Sequence, residues 1–80
     1  MPLKLVFLGR LEDLAGGPER EVPAVALLDA VLAGLEPDLA AALGVDRIRL
    51  AINGGLVTDR DAVTLADGDE IAFLPPVSGG

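Results

Sequence analysis

The sequence contains no cysteine and no histidine. Those two absences remove the thiolate nucleophile, the imidazole general base, the disulfide and the thiolate metal site together. Tryptophan and tyrosine are also missing, and Phe7 and Phe73 are the whole aromatic content, so there is no platform on which nucleobases would stack. Positive charge is scarce: 6 Lys and Arg stand against 13 Asp and Glu, a formal net charge of −7. Phosphate backbones and anionic lipid surfaces repel such a chain, which excludes nucleic acid and membrane as partners. A partner with a basic face is the natural counterpart, because opposite fields speed encounter. Long apolar runs are absent too, and Pro2 and Lys4 fall where a leader would carry its uninterrupted apolar stretch. The chain therefore reads as one small soluble domain of the cytoplasm.

What is present is concentrated at the last residues, Ile71-Ala72-Phe73-Leu74-Pro75-Pro76-Val77-Ser78-Gly79-Gly80. A terminal Gly-Gly arises by chance at a frequency of only ~0.5 %. At neutral pH the Gly80 α-carboxyl is an ionised carboxylate, a poor acyl donor that must be activated, most simply by adenylation with ATP. Glycine has no Cβ and allows close approach of backbone to a ligand. Gly79 and Gly80 can thus thread a narrow channel in a partner and present the last carbonyl unhindered. On this reading the reactive group of the protein is its own C-terminus.

The rest of the chain reads as scaffold. Leu3 to Leu8 alternates as a first strand, with Leu5 and Phe7 on one face and Val6 and Leu8 on the other. Arg10 to Ala15 suits a helical turn closed by Gly16-Gly17-Pro18, and Glu19 to Val22 is a short charged strand of the kind that protects a sheet edge. Val25, Leu28, Leu32 and Leu35 fall at helical spacing, which predicts a helix entered at Pro23 and ended by Gly34 and Pro37. A second short helix spans Asp38 to Leu43. Ile48 to Ile52 is a third strand, Asn53-Gly54-Gly55 a hairpin turn, and Leu56-Val57 the start of the return strand. Asp67-Gly68-Asp69 is turn chemistry rather than a metal site, and leads into a last strand from Glu70 to Leu74. No metal ligand set is expected.

The predicted order is β-β-α-β-β-β, an α+β chain with a mixed sheet and one main helix packed on one face. That is the β-grasp, or ubiquitin-like, arrangement, in which the first and last strands pair in parallel at the sheet centre. Pro75 and Pro76 cannot donate ladder hydrogen bonds and end the last strand. Two parts follow, a β-grasp domain over 1–74 and a flexible extended tail over 75–80 with a reach of roughly 18–20 Å.

These residues resemble a known family. The run from Asp67 through Glu70-Ile71-Ala72-Phe73-Leu74-Pro75-Pro76-Val77-Ser78-Gly79-Gly80 is similar to the DGDEVAFFPPVTGG end of the small subunit of molybdopterin synthase, a ubiquitin-related sulfur carrier. Phe7-Leu8-Gly9-Arg10-Leu11-Glu12-Asp13-Leu14-Ala15-Gly16 resembles its FFARLRELAG-like segment, and Ala51-Ile52-Asn53 its AVN. The chain departs from that pattern by leucines at Leu8 and Leu74, where aromatics are frequent, and by acidic Glu12-Asp13.

The resemblance implies a sulfur carrier for molybdenum cofactor synthesis. An E1-like enzyme, using ATP and Mg²⁺, would adenylate Gly80. Sulfur from a sulfurtransferase or cysteine desulfurase would convert it to a thiocarboxylate. The tail, with Gly79 and Gly80 at its end, would then deliver that sulfur to a pyranopterin precursor in the large subunit. The large-subunit contact implied by the family maps to Leu8, Leu56 and Leu74 on the outer sheet face and to Pro75, Pro76, Val77 and Ser78 in the tail. The chain itself would bind no cofactor. Other functions stay open: a carrier for thiamine, tRNA thiolation or cysteine synthesis, a modifier joined to target lysines, or an interaction module without C-terminal chemistry. Lys4 is the sole lysine, which makes self-linked chains poor.

Overall fold

The computed structural model describes residues 1–44, 47–59 and 62–75. Of the expected site, Pro76, Val77, Ser78, Gly79 and Gly80 lie outside the described residues, and with them most of the expected 75–80 tail. The element order is β1 (Leu3–Phe7), α1 (Arg10–Ala15), β2 (Glu19–Val22), α2 (Leu28–Ala33), α3 (Pro37–Leu43), β3 (Arg49–Ile52), β4 (Gly55–Val57) and β5 (Glu70–Leu74). The strands form one sheet in the order β2-β1-β5-β3-β4. β1 and β5 pair in parallel, and every other pair is antiparallel. This is the expected mixed sheet of a β-grasp, with the first and last strands at its centre.

Alternation along the strands decides which face is covered. Leu3, Leu5 and Phe7 of β1, Leu50 of β3, and Ile71 and Phe73 of β5 are almost fully buried. The Phe7 and Phe73 rings stack across the central parallel pair, centroids 5.7 Å apart. Helical residues close this inner face: Leu28 and Val31 from α2, Leu39 and Leu43 from α3, and Leu11 from α1. Every residue of this core is apolar, as expected where burial of unpaired polar groups is costly.

The helical layer is more divided than the leucine spacing predicts. The segment from Pro23 to Leu27 does not join the helix, because the Ala26 carbonyl accepts a hydrogen bond from the Leu65 N–H at 2.8 Å and Leu27 has extended backbone. Val25 packs against the core from this non-helical segment, and Val31, absent from the predicted stripe, takes the buried helical position. At the other end of the layer, Arg20 ties three elements together. Its guanidinium donates to both carboxylate oxygens of Glu36 (3.0 and 2.8 Å) and to the Ala15 carbonyl (2.8 Å). Glu36 immediately precedes α3 and Ala15 ends α1, so β2 is fixed to both helices.

The β3–β4 turn forms as its residues dictate. Asn53 and Gly54 have φ of 51° and 87°, the pair of positive values that a tight two-residue hairpin requires. The Asn53 amide then reaches β5: its Nδ2 donates to Asp69 (2.9 Å) and its Oδ1 accepts from the Glu70 N–H (3.0 Å).

Candidate functional site

β5 carries the chain from the core to Pro75, so its register sets what stands around that end of the sheet. Ile71 and Phe73 point inward, which leaves Ala72 and Leu74 on the outer face. Ala72 is level with Val6 of β1 and with Ala51 of β3, and Ala51 is level with Leu56 of β4. One row thus crosses four strands as Val6–Ala72–Ala51–Leu56, apolar throughout. Leu74 stands in the next row opposite Arg49, and the Leu8 N–H donates to the Phe73 carbonyl at 3.2 Å, so Leu8 flanks Leu74 on the β1 side.

Leu8, Leu56 and Leu74 are therefore all on the face away from the helices. Leu8 is 41 % and Leu56 65 % exposed, and Leu74 is half-buried. Leu8 and Leu74 adjoin each other. Leu56 is two strands away and is joined to them by the low floor of Ala51 and Ala72. Sequence reasoning had set Val6 on this face beside Leu8 but missed the floor of Ala51 and Ala72, for which the period-2 signal was available in Ala72.

Pro75 begins the departure from the sheet, and Gly9 makes room for it. Gly9 has φ of 57°, and a Cβ built on it would stand 2.9 Å from the Pro75 Cγ. Backbone and ring approach more closely here than an L side chain permits. Sequence reasoning had assigned Gly9 no part in the site. Leu8, Gly9, Leu74 and Pro75 form one continuous surface at the point where the chain leaves for Pro76, Val77, Ser78, Gly79 and Gly80.

Charge is unevenly spread over the outer face. Toward the β2 edge, Lys4 lies between Glu19 (3.3 Å) and Glu70 (3.7 Å), and the hydrogen bond to Glu19 in particular raises its pKa. Asp69 has its carboxyl lowered, first by the Ala66 N–H that donates to it and then by Asn53, which commits this acid to turn geometry. Asp67 faces the N-terminal ammonium at 3.4 Å. Among the described residues no group of three or more acidic side chains is arranged to hold a metal ion. What this arrangement offers is adhesion, an apolar surface bordered by charge beside Pro75.

The model of the ThiS family matches residues 5–80, nearly the whole chain. The chain belongs to the ThiS family. Among relatives of this ThiS protein, the molybdopterin synthase sulfur carrier subunit of Escherichia coli is 35 % identical, covering 98 % of this chain and 99 % of the relative. A chain of the complex of subunits 1 and 2 of molybdopterin-converting factor from Helicobacter pylori is similar in structure, with a TM-score of 0.70, 33 % identity and complete coverage of both chains. The small archaeal modifier protein 1 of Methanosarcina acetivorans superposes with a TM-score of 0.80 at 28 % identity, over 99 % of this ThiS chain and 96 % of the other. No helix among the described residues is long and apolar enough to cross a membrane.

Proposed function

We propose that this protein is the sulfur carrier subunit of a molybdopterin synthase, and that Gly80 is the residue that carries the sulfur. The observation that carries the reading is end-to-end similarity to the E. coli sulfur carrier subunit, 35 % identical over 98 % of the chain. The structural relative from a two-subunit complex of molybdopterin-converting factor supports a large subunit as partner. The described surface fits that role, because the apolar outer face ends at Pro75, five residues short of Gly80.

The chemistry requires an activating enzyme with ATP and Mg²⁺. The Gly80 carboxylate attacks the α-phosphorus of ATP and pyrophosphate leaves. The outer sulfur of a cysteine persulfide on a sulfurtransferase or cysteine desulfurase then displaces AMP to give an acyl disulfide, and a second thiol cleaves it, forming a disulfide and releasing the thiocarboxylate. In the cytoplasm, the charged tail enters the large subunit, where the sulfur is transferred to a pyranopterin precursor. Leu8, Leu56, Leu74 and Pro75 hold the carrier on that subunit, while Pro76, Val77 and Ser78 span to the Gly79-Gly80 end. Deletion of Gly80 should abolish dithiolene formation with a purified large subunit and activating enzyme. The thermal midpoint should stay unchanged, because chain ends contribute little packing. Sulfur transfer by the truncated chain would refute the assignment.

The likeness to a small archaeal modifier protein favours one second reading, attachment of Gly80 to lysines of other proteins. Mass spectrometry of the chain from its own cells separates the two. A C-terminal thiocarboxylate marks the carrier, and Gly80 in isopeptide linkage to target lysines marks the modifier.

A further inference from the structure

In a chain with twice as many acids as bases, each arginine would be expected to find a carboxylate. Arg20 does, in its contact with Glu36. Among the described residues, the side chains of Arg10, Arg47 and Arg49 make no ion pair or hydrogen bond, and of these three Arg47 and Arg49 stand together, both exposed. Strand alternation sets Arg49 on the outer face, and Arg47, in the turn just before β3, lines the same recess. Arg49 is opposite Leu74 in the ladder. Together with Leu56 and Thr58 the two arginines line a recess of about 350 Å³ at the β3–β4 edge. β4 is the last strand of the sheet, which leaves the recess open on that side.

The outer face is thus graded. Its β2 side holds Glu19, Glu21 and Glu70 around a single, already paired Lys4, and its β3–β4 side holds two unpaired guanidiniums beside the two large leucines Leu56 and Leu74. A guanidinium lays its stem along apolar neighbours and keeps a planar fork of donors free, which matches carboxylate geometry. Arginine bordering apolar anchors is the composition of a binding surface rather than of a solvated edge. The gradient also fixes orientation, since a partner turned end for end would meet like charges.

We propose that the β3–β4 edge receives a carboxylate-bearing segment of the protein that docks on the outer face, with Arg47 and Arg49 pairing to its acidic side chains. The inference rests on the carrier reading above and specifies the partner's chemistry: beside its apolar contact, the large subunit presents acids at this edge. Whole-chain charge alone predicts the reverse, a uniformly basic partner face.

The test uses full-length chains and a purified molybdopterin synthase large subunit, with affinity and association rate measured at low and at high salt. Arg47→Glu/Arg49→Glu should weaken binding by about tenfold or more at low salt, and Arg47→Gln/Arg49→Gln by a smaller factor. The loss should shrink as salt screens the pairs. Both sites are exposed, so thermal midpoints should stay within a few degrees of wild type. Ala33→Glu/Ala41→Glu, on the exposed side of α2 and α3, matches the glutamine variant in net charge and should leave affinity unchanged. Equal weakening by that control would show a whole-chain charge effect and overturn the proposal. So would unaltered binding of the arginine variants beside normal wild-type binding, and the carrier reading would then survive. Saturable binding of inorganic phosphate that is lost in the arginine variants, with partner affinity unchanged, would assign the recess to a small anion and also overturn it. Failure of the wild type to bind the large subunit would refute the carrier reading and this proposal with it.

Discussion

Phe73 and Leu74 are adjacent in β5 and face opposite sides of the sheet, which makes them a sharp test of how the molecule divides stability from binding. Phe73 is fully buried and stacks on Phe7 between the two central strands. Truncation to alanine removes the ring and leaves a cavity where neither β1 nor β3 can close in, at a cost of about 3–5 kcal/mol. A domain of this size has roughly 4–12 kcal/mol in total at ~0.05–0.15 kcal/mol per residue. Phe73→Ala therefore takes about a quarter of the stability or more. At ~4–8 °C per kcal/mol the thermal midpoint should fall by on the order of 20 °C. Leu74→Glu is a different perturbation. Leu74 is only half-buried, and a carboxylate there would stand opposite Arg49, a cross-strand charge pair worth ~0.2–1 kcal/mol in the stabilising direction. Stability should stay within about 1 kcal/mol of wild type, while affinity for a large subunit should drop by about tenfold or more as a charge enters an apolar contact. Urea unfolding gives the first quantity and calorimetric titration with the large subunit the second. A Leu74→Glu protein that unfolds, alongside a Phe73→Ala protein of wild-type stability, would refute the assignment of the two faces.

Acid should loosen the fold through two carboxylates. The hydrogen bonds from Ala66 and Asn53 lower the Asp69 pKa, and the Arg20 guanidinium lowers that of Glu36. Each folded-state value lies below the unfolded one, so the stabilisation is present above the unfolded pKa and is lost as pH falls through the folded value. The urea midpoint should accordingly decline below about pH 4. Asp69→Asn should flatten part of that decline, and an unchanged profile would count against it. Asn53→Ala should cost about 1–2 kcal/mol, because it removes two hydrogen bonds to the β5 entry and places alanine at positive φ. Asn53→Gly relieves only the second cost, so equal stability of all three proteins would show that the clasp contributes nothing.

The parts of the fold legible in the sequence were those governed by short-range rules. Alternation in Leu3–Phe7 and Glu70–Leu74 reports the inner face directly, and the Asn53-Gly54 pair can hardly be anything but a tight turn. The helix predicted from Pro23 failed at its start because the deciding interaction, from the Leu65 N–H to the Ala26 carbonyl, joins residues 39 apart in sequence. No local pattern carries such information, although the lack of a capping residue before Pro23 was a sign of it. Leu8 and Leu74 were placed on the outer face by the same alternation. The basic edge was not, since Arg47 and Arg49 become notable only when the structure shows which arginine has a carboxylate and which does not. Gly9 was likewise invisible as a seat for Pro75, because the two residues are brought together by the parallel β1–β5 pairing alone.

The place of β5 has a consequence for how the protein is made. In the sheet order β2-β1-β5-β3-β4, the described strand that comes last in chain order is the one that joins the two halves. Until Leu74 has left the ribosome, the β1–β2 and β3–β4 pairs share no ladder, and Phe7 has no ring to stack against. The long sequence separation of β1 and β5 makes this closure the slow, non-local step of folding. A chain cut short upstream of Glu70 is therefore two unjoined hairpins with open edges, a substrate for proteolysis. It does not become a folded decoy that occupies a partner without delivering anything. Completion of the sheet thus acts as a check that the chain has been made at least as far as β5.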